Sequence, residues 1–211
     1  MAISGQPAAG PVFIFDIGNV LIDFDLAGLQ ARIAAESDTP LAGVQGRWDG
    51  DDLIAVETGR IRGPEYFDGL RDSLSLPWSY EDWVQAWMDV YALNENGRGL
   101  LLDLKGRGHP VCLLSNLAEY NRDAIERKFP GFFEASTANF FSFEIGFHKP
   151  DPRAYGAACR RLAVPPAGCT FLDDSFENVR GAREFGMNGI HFSGDEFARV
   201  VREVEAVTPA R

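Results

Sequence analysis

The chain has 211 residues, of which 45% are hydrophobic and 24% are charged, a balance that is typical of a folded globular domain and excludes disorder. Its 20 Lys and Arg against 31 Asp and Glu residues give a formal net charge of −11. This charge would repel nucleic acids and anionic membrane surfaces, so neither is expected as a partner. An anionic small molecule remains compatible with it, because a metal ion or a few cations can reverse the field inside one pocket.

The sequence carries no targeting or membrane-spanning signal. No apolar run approaches the roughly 20 residues that cross a bilayer, and residues 1–10 contain no Lys or Arg, so neither a transmembrane helix nor a signal peptide is expected. The three cysteines are odd in number, lack metal-type spacing and lie among apolar residues: Cys112, Cys159 and Cys169. They are expected to be buried thiols in a reducing compartment, which predicts a cytoplasmic protein.

Short apolar runs alternate with helical patterns along most of the chain. Four runs predict strands buried on both faces, as in a parallel sheet: 11–15, 110–114, 169–172 and 189–192. Apolar residues recur at helical spacing in three segments between these runs: Tyr120, Ala124, Ile125 and Phe129; Tyr155, Cys159 and Leu162; and Val179, Ala182 and Phe185. This alternation predicts an α/β fold with a parallel sheet.

The segment 26–94 has a different character and is predicted to be an all-helical insertion after the first strand. Ser79 and Asp82 resemble a capping box that opens a helix. This helix is predicted to carry one apolar stripe of Trp83, Val84, Trp87, Met88 and Tyr91, which is expected to form the core of the insertion. No strand is predicted in this segment, and one of these rings or Trp48 could face a substrate.

Polar residues gather where the predicted strands end. Asp16 follows the first strand, Ser115 and Asn116 follow the second, and Asp173 and Asp174 follow the third. Ligands of open α/β sheets bind beyond the carboxyl ends of the strands. Adjacent carboxylates would repel each other unless a cation lies between them, and ligand sets made only of oxygen favour Mg²⁺.

Four motifs in this order resemble the haloacid dehalogenase-like hydrolases. They are Phe15-Asp-Ile-Gly-Asn-Val-Leu21, Leu114-Ser-Asn116, Lys149-Pro150 and Phe171-Leu-Asp-Asp-Ser175. The resemblance covers roughly residues 12–192 and is greatest to the glucose-1-phosphate phosphatase-like branch, with the N-terminal phosphatase domain of epoxide hydrolases as a close relative. It implies a doubly wound, Rossmann-like core over 11–25 and 95–211, with an inserted helical cap over 26–94.

The resemblance also implies a role for each motif residue. Asp16 would attack phosphorus and form an aspartyl-phosphate, which divides the hydrolysis into two steps. Mg²⁺ would be held by the Asp16 carboxylate, the Gly18 carbonyl and Asp174, while Asp173 and Asn178 would orient these ligands. Ser115 and Asn116 would bind phosphoryl oxygens, although Ser115 could instead cap the helix that follows it. Lys149 would offset the negative charge of the phosphoryl group.

Gly18 departs from the commonest pattern of this superfamily. Most phosphatase members carry a second Asp two residues after the nucleophile, as general acid and base, and Gly cannot perform this role. Asp23, Asp25 and His148 are candidates to replace it, although each could also be an ordinary surface residue.

The expected activity is Mg²⁺-dependent hydrolysis of a small phosphorylated metabolite. The expected substrate is a sugar phosphate, such as a sugar 1-phosphate. Two alternatives compete with it. A 2-haloacid dehalogenase would lack the second Asp but would not need the Asp173-Asp174 pair. A non-catalytic binding protein could keep the fold, yet it would have no reason to retain Asp16, Lys149 and Asp174 together.

Overall fold

The computed structural model describes residues 10–48 and 50–208. Residues 1–9, on which most of the signal-peptide expectation rests, Asp49 and residues 209–211 lie outside the described part. The strands are β1 Val12–Phe15, β2 Ile22–Phe24, β3 Tyr91–Leu93, β4 Val111–Ser115, β5 Ala138–Phe141, β6 Cys169–Asp173 and β7 Asn188–His191. The helices are α1 Leu26–Glu36, α2 Leu41–Gln45, α3 Asp51–Glu57, α4 Gly63–Leu74, α5 Tyr80–Val90, α6 Glu95–Gly106, α7 Glu119–Lys128, α8 Ser142–Ile145, α9 Pro152–Leu162, α10 Phe176–Phe185 and α11 Phe197–Val207.

A five-stranded parallel sheet in the order β5-β4-β1-β6-β7 forms the centre of the fold. Alternate residues of β1 belong to two different hydrophobic clusters. Phe13 and Phe15 lie in the cluster that includes residues of α6, α7 and α11, and Val12 and Ile14 lie in the cluster that includes residues of α9 and α10. Helices therefore cover both faces of the sheet, which confirms the predicted doubly wound α/β architecture. None of the helices in the described ranges combines the length and the apolar character needed to cross a membrane.

The edge strand β5 was not predicted from the sequence. Its four residues, Ala-Asn-Phe-Phe, pair in parallel with β4 from Ala138 to Phe141. Asn139 interrupts the apolar run, because an edge strand has only one neighbour and tolerates a polar residue. The three cysteines are buried and free, as expected, and the Sγ atoms of Cys159 and Cys169 lie 3.9 Å apart.

Helices α1 to α5 lie between β1 and β4 in the chain and form the helical insertion. The predicted capping box is present: the Ser79 hydroxyl accepts from the Asp82 backbone N–H, and the Asp82 carboxylate accepts from the Ser79 backbone N–H at 2.8 Å. The prediction that 26–94 contains no strand was wrong at its end. Helix α5 stops at Val90, and Tyr91 begins β3, which pairs antiparallel with β2. Tyr91 continues the four-residue spacing of Trp83 and Trp87, so its position in the sequence indicated one more helical turn.

The insertion and the sheet domain share one continuous hydrophobic cluster. Tyr120 of α7 is fully packed at this junction: its ring stacks on Tyr66 with centroids 6.1 Å apart and meets the edge of Trp83 at 5.5 Å. The aromatic stripe of α5 is therefore largely cap core, as predicted, and it also joins the cap to α7.

Candidate active site

The carboxyl ends of β1, β4 and β6 place Asp16, Ser115 and Asp173 at one edge of the sheet. The parallel register sets Phe15 opposite both Leu113 and Leu172, so the residues that follow these positions meet. The Asp16 backbone N–H donates to the Leu172 carbonyl at 2.9 Å and continues the ladder by one residue. Asp16 is only 7% exposed, and its carboxylate therefore lies in a largely desolvated site.

Lys149 joins two of the carboxylates. Its Nζ lies 2.8 Å from Asp16 Oδ1 and 2.6 Å from Asp173 Oδ2, and the side chain is 1% exposed. Burial disfavours the charged ammonium, but the two carboxylates outweigh this and raise the pKa of Lys149, so it stays a cation. Lys149, which the family resemblance implied as the cation of the site, is thus in direct contact with Asp16.

Asn116 holds the Lys149 backbone from both sides. Its Oδ1 accepts from the Lys149 N–H at 2.8 Å, and its Nδ2 donates to the Lys149 carbonyl at 2.9 Å. The side-chain amide is therefore already engaged with the protein, a role for Asn116 that the sequence analysis did not include. The alternative that Ser115 caps the next helix was wrong, because Ala118 is the N-cap of α7. The buried Ser115 hydroxyl instead hydrogen-bonds Asp16, which opposes in small part the rise that burial causes in the pKa of that carboxyl.

Asp173 is the last residue of β6 and Asp174 follows it, but the two have different surroundings. Asp173 is fully buried; its Oδ1 accepts from the Ser175 backbone N–H at 2.8 Å, and Asn178 Nδ2 donates to both of its oxygens at 3.1 Å. Asp174 is half-buried and accepts from Asn19 Nδ2 at 2.9 Å. Asn178 therefore orients Asp173, while Asp174 retains acceptor capacity.

Three carboxylates lie close together at this edge of the sheet, near the Lys149 ammonium. Oxygen atoms of Asp16, Asp173 and Asp174 lie within 4.8 Å of one another. Burial raises the pKa of Asp16 to about 6; Lys149 opposes this shift and the charge of Asp173 adds to it. Burial also raises the pKa of Asp174. Both shifts have the direction expected where burial outweighs the attraction of the nearby ammonium.

The residues present fit a hard divalent cation. Asp16 Oδ1 faces Lys149 but receives no well-aligned hydrogen bond from the described part of the chain, so this buried oxygen can still serve as a ligand. Two residues further on, Gly18 lies in the tight turn in which the Asn19 N–H donates to the Ile22 carbonyl at 2.7 Å. A donor set made only of carboxylate and carbonyl oxygens is the chemistry of Mg²⁺ sites.

The candidates for the missing acid and base occupy different places. Asp23 is exposed and accepts from Asn94 Nδ2 at 2.8 Å, while Asp25 caps α1 by accepting from the Gly28 N–H at 2.8 Å. His148 is half-buried, and its Nε2 lies 2.7 Å from Glu57 Oε2 of the cap. Because Asn116 Nδ2, a donor, lies 3.0 Å from His148 Nδ1, this ring nitrogen accepts and Nε2–H donates to Glu57.

A cavity of about 220 Å³ lies between the cap and the sheet edge. Its lining residues are Ile17, Gly18, Ile22, Phe24, Leu26, Trp48, Leu53, Glu57, Trp87, Tyr91, Ser115, Asn116, Leu117, Tyr120, Asn121 and Ile125. Glu57 is a residue that the sequence analysis missed, because a Glu at the end of a short helix carries no motif. Of the aromatic rings that the sequence offered for contact with a substrate, those of Trp48, Trp87 and Tyr91 line this cavity. Trp83 is not part of the lining.

Phe24 packs over Gly18. A Cβ atom added at Gly18 would come within 3.2 Å of the Phe24 ring, which is tighter than ordinary contact. A side chain at position 18, where the sequence pattern of the superfamily commonly has the second Asp, would therefore require the Phe24 ring to shift by a few tenths of an ångström.

Fold and site together define a parallel α/β core with a helical cap and an aspartate at the end of its central strand. The family model of the haloacid dehalogenase-like hydrolases matches residues 11–186, and the chain belongs to this family. The phosphatase MT3486 of Mycobacterium tuberculosis is 29% identical over 206 residues, which cover 92% of this chain and 93% of that protein.

Two proteins of Bacteroides thetaiotaomicron are also similar. Its D-ribitol-5-phosphate phosphatase is 26% identical over 185 residues, covering 82% of this chain and 87% of that protein. A crystal structure of a HAD family enzyme from the same organism, in complex with magnesium and inorganic phosphate, superposes with a TM-score of 0.79 at 22% identity and covers 91% of this chain and 99% of that one. This structural similarity supports the α/β fold with its cap.

Proposed function

We propose that the protein is a Mg²⁺-dependent phosphomonoesterase in which Asp16 is the nucleophile. The observation that carries this proposal is the position of Asp16: it is buried at the end of the central strand, 2.8 Å from Lys149 and beside two further carboxylates. A nucleophile that pairs with a buried cation at a site rich in oxygen ligands suits attack on a phosphoryl group. The phosphatase relatives agree with it.

In the proposed reaction, Asp16 attacks phosphorus and the ester oxygen leaves, which gives an aspartyl-phosphate and the alcohol. Water then attacks phosphorus and releases inorganic phosphate and the free carboxylate. Lys149 offsets the charge that accumulates on the phosphoryl oxygens, and Ser115 donates a hydrogen bond to one of them. Asp16, the Gly18 carbonyl and Asp174 would hold Mg²⁺, which brings the anionic carboxylate and the anionic phosphate together when bound.

Addition of Mg²⁺ is expected to raise the melting temperature of the protein by about 5–10 °C at a concentration one hundred times its Kd. Asp174→Asn should remove this rise, because Asp174 has acceptor capacity to spare. Asp173→Asn should retain part of it, since both Asp173 oxygens already accept from Lys149, Ser175 and Asn178. Differential scanning fluorimetry with and without EDTA measures the three proteins, and the opposite order of the two variants would make Asp173 the ligand.

We further infer that the pair of Glu57 and His148 supplies the proton to the leaving oxygen. Glu57 lines the same cavity as Gly18 and Ser115, and its carboxylate is 2.7 Å from His148 Nε2. Asp23 and Asp25 are exposed and do not line this cavity. A proton taken up from solvent on the Glu57 carboxyl oxygen that does not accept from His148 is thus available where a carboxylate at position 18 is not, and it passes to the ester oxygen as the P–O bond breaks.

Glu57→Gln is therefore expected to slow esters with poor leaving groups more than esters with good ones. General acid assistance contributes about 10²–10⁴-fold, so kcat for butyl phosphate should fall by about 10²-fold and kcat for phenyl phosphate by less than tenfold. The exposed cap residue Glu65 provides the control variant Glu65→Gln. An unchanged ratio between the two substrates would exclude the pair as the acid.

A dehalogenase remains the second candidate from the sequence. Such an enzyme would need no cluster of three carboxylates, and Asp16, Asp173 and Asp174 form one. Release of inorganic phosphate from a panel of monoesters, compared with halide release from 2-chloropropionate, tests the two activities in parallel. The sugar 1-phosphate expected from the sequence belongs to the same panel.

A further inference from the structure

The cavity beside Asp16 has walls that are mostly hydrocarbon. Phe24 and Leu26 come from the segment after β1, Trp48 and Leu53 from the cap, and Ile125 from α7. These residues are contributed by separate parts of the chain, so the apolar character does not result from one helix turning an unused face inward. The cavity also reaches Gly18 and Ser115, which places it next to the proposed phosphate site.

The polar side chains of the lining are largely occupied by contacts within the protein. The Asn116 amide binds the Lys149 backbone, and the Asn121 amide accepts from the Ala118 N–H and donates to Tyr91 Oη at 2.9 Å. Glu57 is paired with His148. Trp87, another lining residue, keeps its indole N–H buried without a hydrogen-bond partner among the described residues.

A sugar ring would bring several hydroxyl groups into this space. Each hydroxyl loses its water on binding and needs a new partner, and the lining offers few that are not already hydrogen-bonded. A hydrocarbon group of similar size would instead exchange water for contact with aromatic and aliphatic side chains. An engineered cavity of about 150 Å³ binds benzene, so about 220 Å³ holds a group of roughly ten non-hydrogen atoms.

From this cavity we infer that the preferred substrate is the phosphate monoester of an apolar alcohol, with its hydrocarbon group held between the cap and the sheet edge. The inference rests on the proposed phosphatase function and replaces the sugar phosphate expected from the sequence. Its phosphate end would lie at Ser115 and Lys149, and its carbon atoms would contact Leu53, Trp87 and the other apolar residues of the lining.

The test uses esters that differ in carbon content but not in the type of bond that breaks. Ethyl, butyl, hexyl and 2-phenylethyl phosphate and glucose 6-phosphate all release a primary alcohol. With the full chain and Mg²⁺, kcat/KM should rise by up to roughly fourfold for each methylene that becomes buried. Hexyl phosphate should exceed glucose 6-phosphate by at least tenfold, and comparison with 2-phenylethyl phosphate distinguishes an aliphatic from an aromatic preference.

Leu53→Asn examines the cavity wall directly. Leu53 is half-buried and lines the cavity, whereas its neighbour Ile54 is 44% exposed and does not, so Ile54→Asn is the matched control on the same helix. Leu53→Asn should lower the ratio of hexyl to ethyl phosphate turnover by about tenfold, and the control should leave it unchanged. Leu26→Gln serves as a second variant of the wall if Leu53→Asn does not fold, as judged by its melting temperature.

Acetyl phosphate separates the two levels of the proposal, because it is small and cleaves readily. The phosphatase function is wrong if the wild-type protein hydrolyses neither acetyl phosphate nor any ester faster than the Asp16→Asn protein does. If acetyl phosphate is hydrolysed but glucose 6-phosphate matches or exceeds hexyl phosphate, or chain length has no effect, the phosphatase function stands and the apolar substrate class is overturned.

Discussion

Asp16→Asn is expected to reduce kcat by about 10⁴-fold or more while the protein remains folded. An amide has nearly the same shape as a carboxylate but is a very poor nucleophile. Burial raises the pKa of the Asp16 carboxyl to about 6, which means that its negative charge is unfavourable in the folded protein. Because the substitution removes this charge, the melting temperature in EDTA should not fall by more than a few degrees. Phosphate release and thermal denaturation measure the two effects.

Asp195→Asn is the control, because it makes the same substitution at an exposed residue outside the site, and it should keep wild-type turnover. Single-turnover experiments with a ³²P-labelled ester add a direct observation, because wild type should retain label on the protein and Asp16→Asn should not. Activity of Asp16→Asn within tenfold of wild type would mean that another group attacks phosphorus.

Lys149→Met is expected to abolish turnover and to destabilise the fold as well. Methionine keeps much of the length of the side chain but leaves Asp16 and Asp173 without the ammonium that lies between them. Removal of one partner from a buried ion pair typically costs about 3–5 kcal/mol, because the remaining charges lose their compensation. The free energy of unfolding from urea denaturation in EDTA should fall by an amount of this order.

Mg²⁺ should restore part of the stability of Lys149→Met but not its activity, since a cation near the carboxylates relieves their repulsion without replacing the ammonium. Lys105→Met is the matched control: Lys105 lies on the surface of α6 and donates to the Ala135 carbonyl. A Lys149→Met protein that is as stable as wild type in EDTA would contradict the assignment of this lysine as the cation that compensates the charges of Asp16 and Asp173.

The place of Asp16 in the fold could be predicted from the sequence because it follows a buried apolar run, whereas its proposed role as the nucleophile came from the family resemblance. A buried apolar run that ends in Asp16, and a second that ends in Asp173 and Asp174, place carboxylates at the same edge of any parallel sheet in which the two strands are neighbours. The helical character of α7, α9 and α10 was equally accessible, since their apolar spacing extends over two turns or more.

Other parts of the site depend on contacts between distant segments and leave no local pattern. Glu57 meets His148 across 91 positions of the chain, and Asn116 meets Lys149 across 33. Strands β2 and β3 have three residues each, too few for an alternation to be distinguished from a helical turn. The apolar lining of the cavity likewise becomes visible only when side chains from several elements come together, whereas the sugar phosphate expected from the sequence came from the family resemblance.

The shared hydrophobic cluster of cap and core has a consequence for how the protein denatures. Tyr120 belongs to the sheet domain, yet its ring is buried against Tyr66 and Trp83 of the insertion, so unfolding of either part would expose apolar surface of the other. Units coupled in this way melt in one cooperative transition, with equal calorimetric and van't Hoff enthalpies. The insertion therefore acts as a structural component of the hydrolase core, and substitutions within it change the stability of the whole chain.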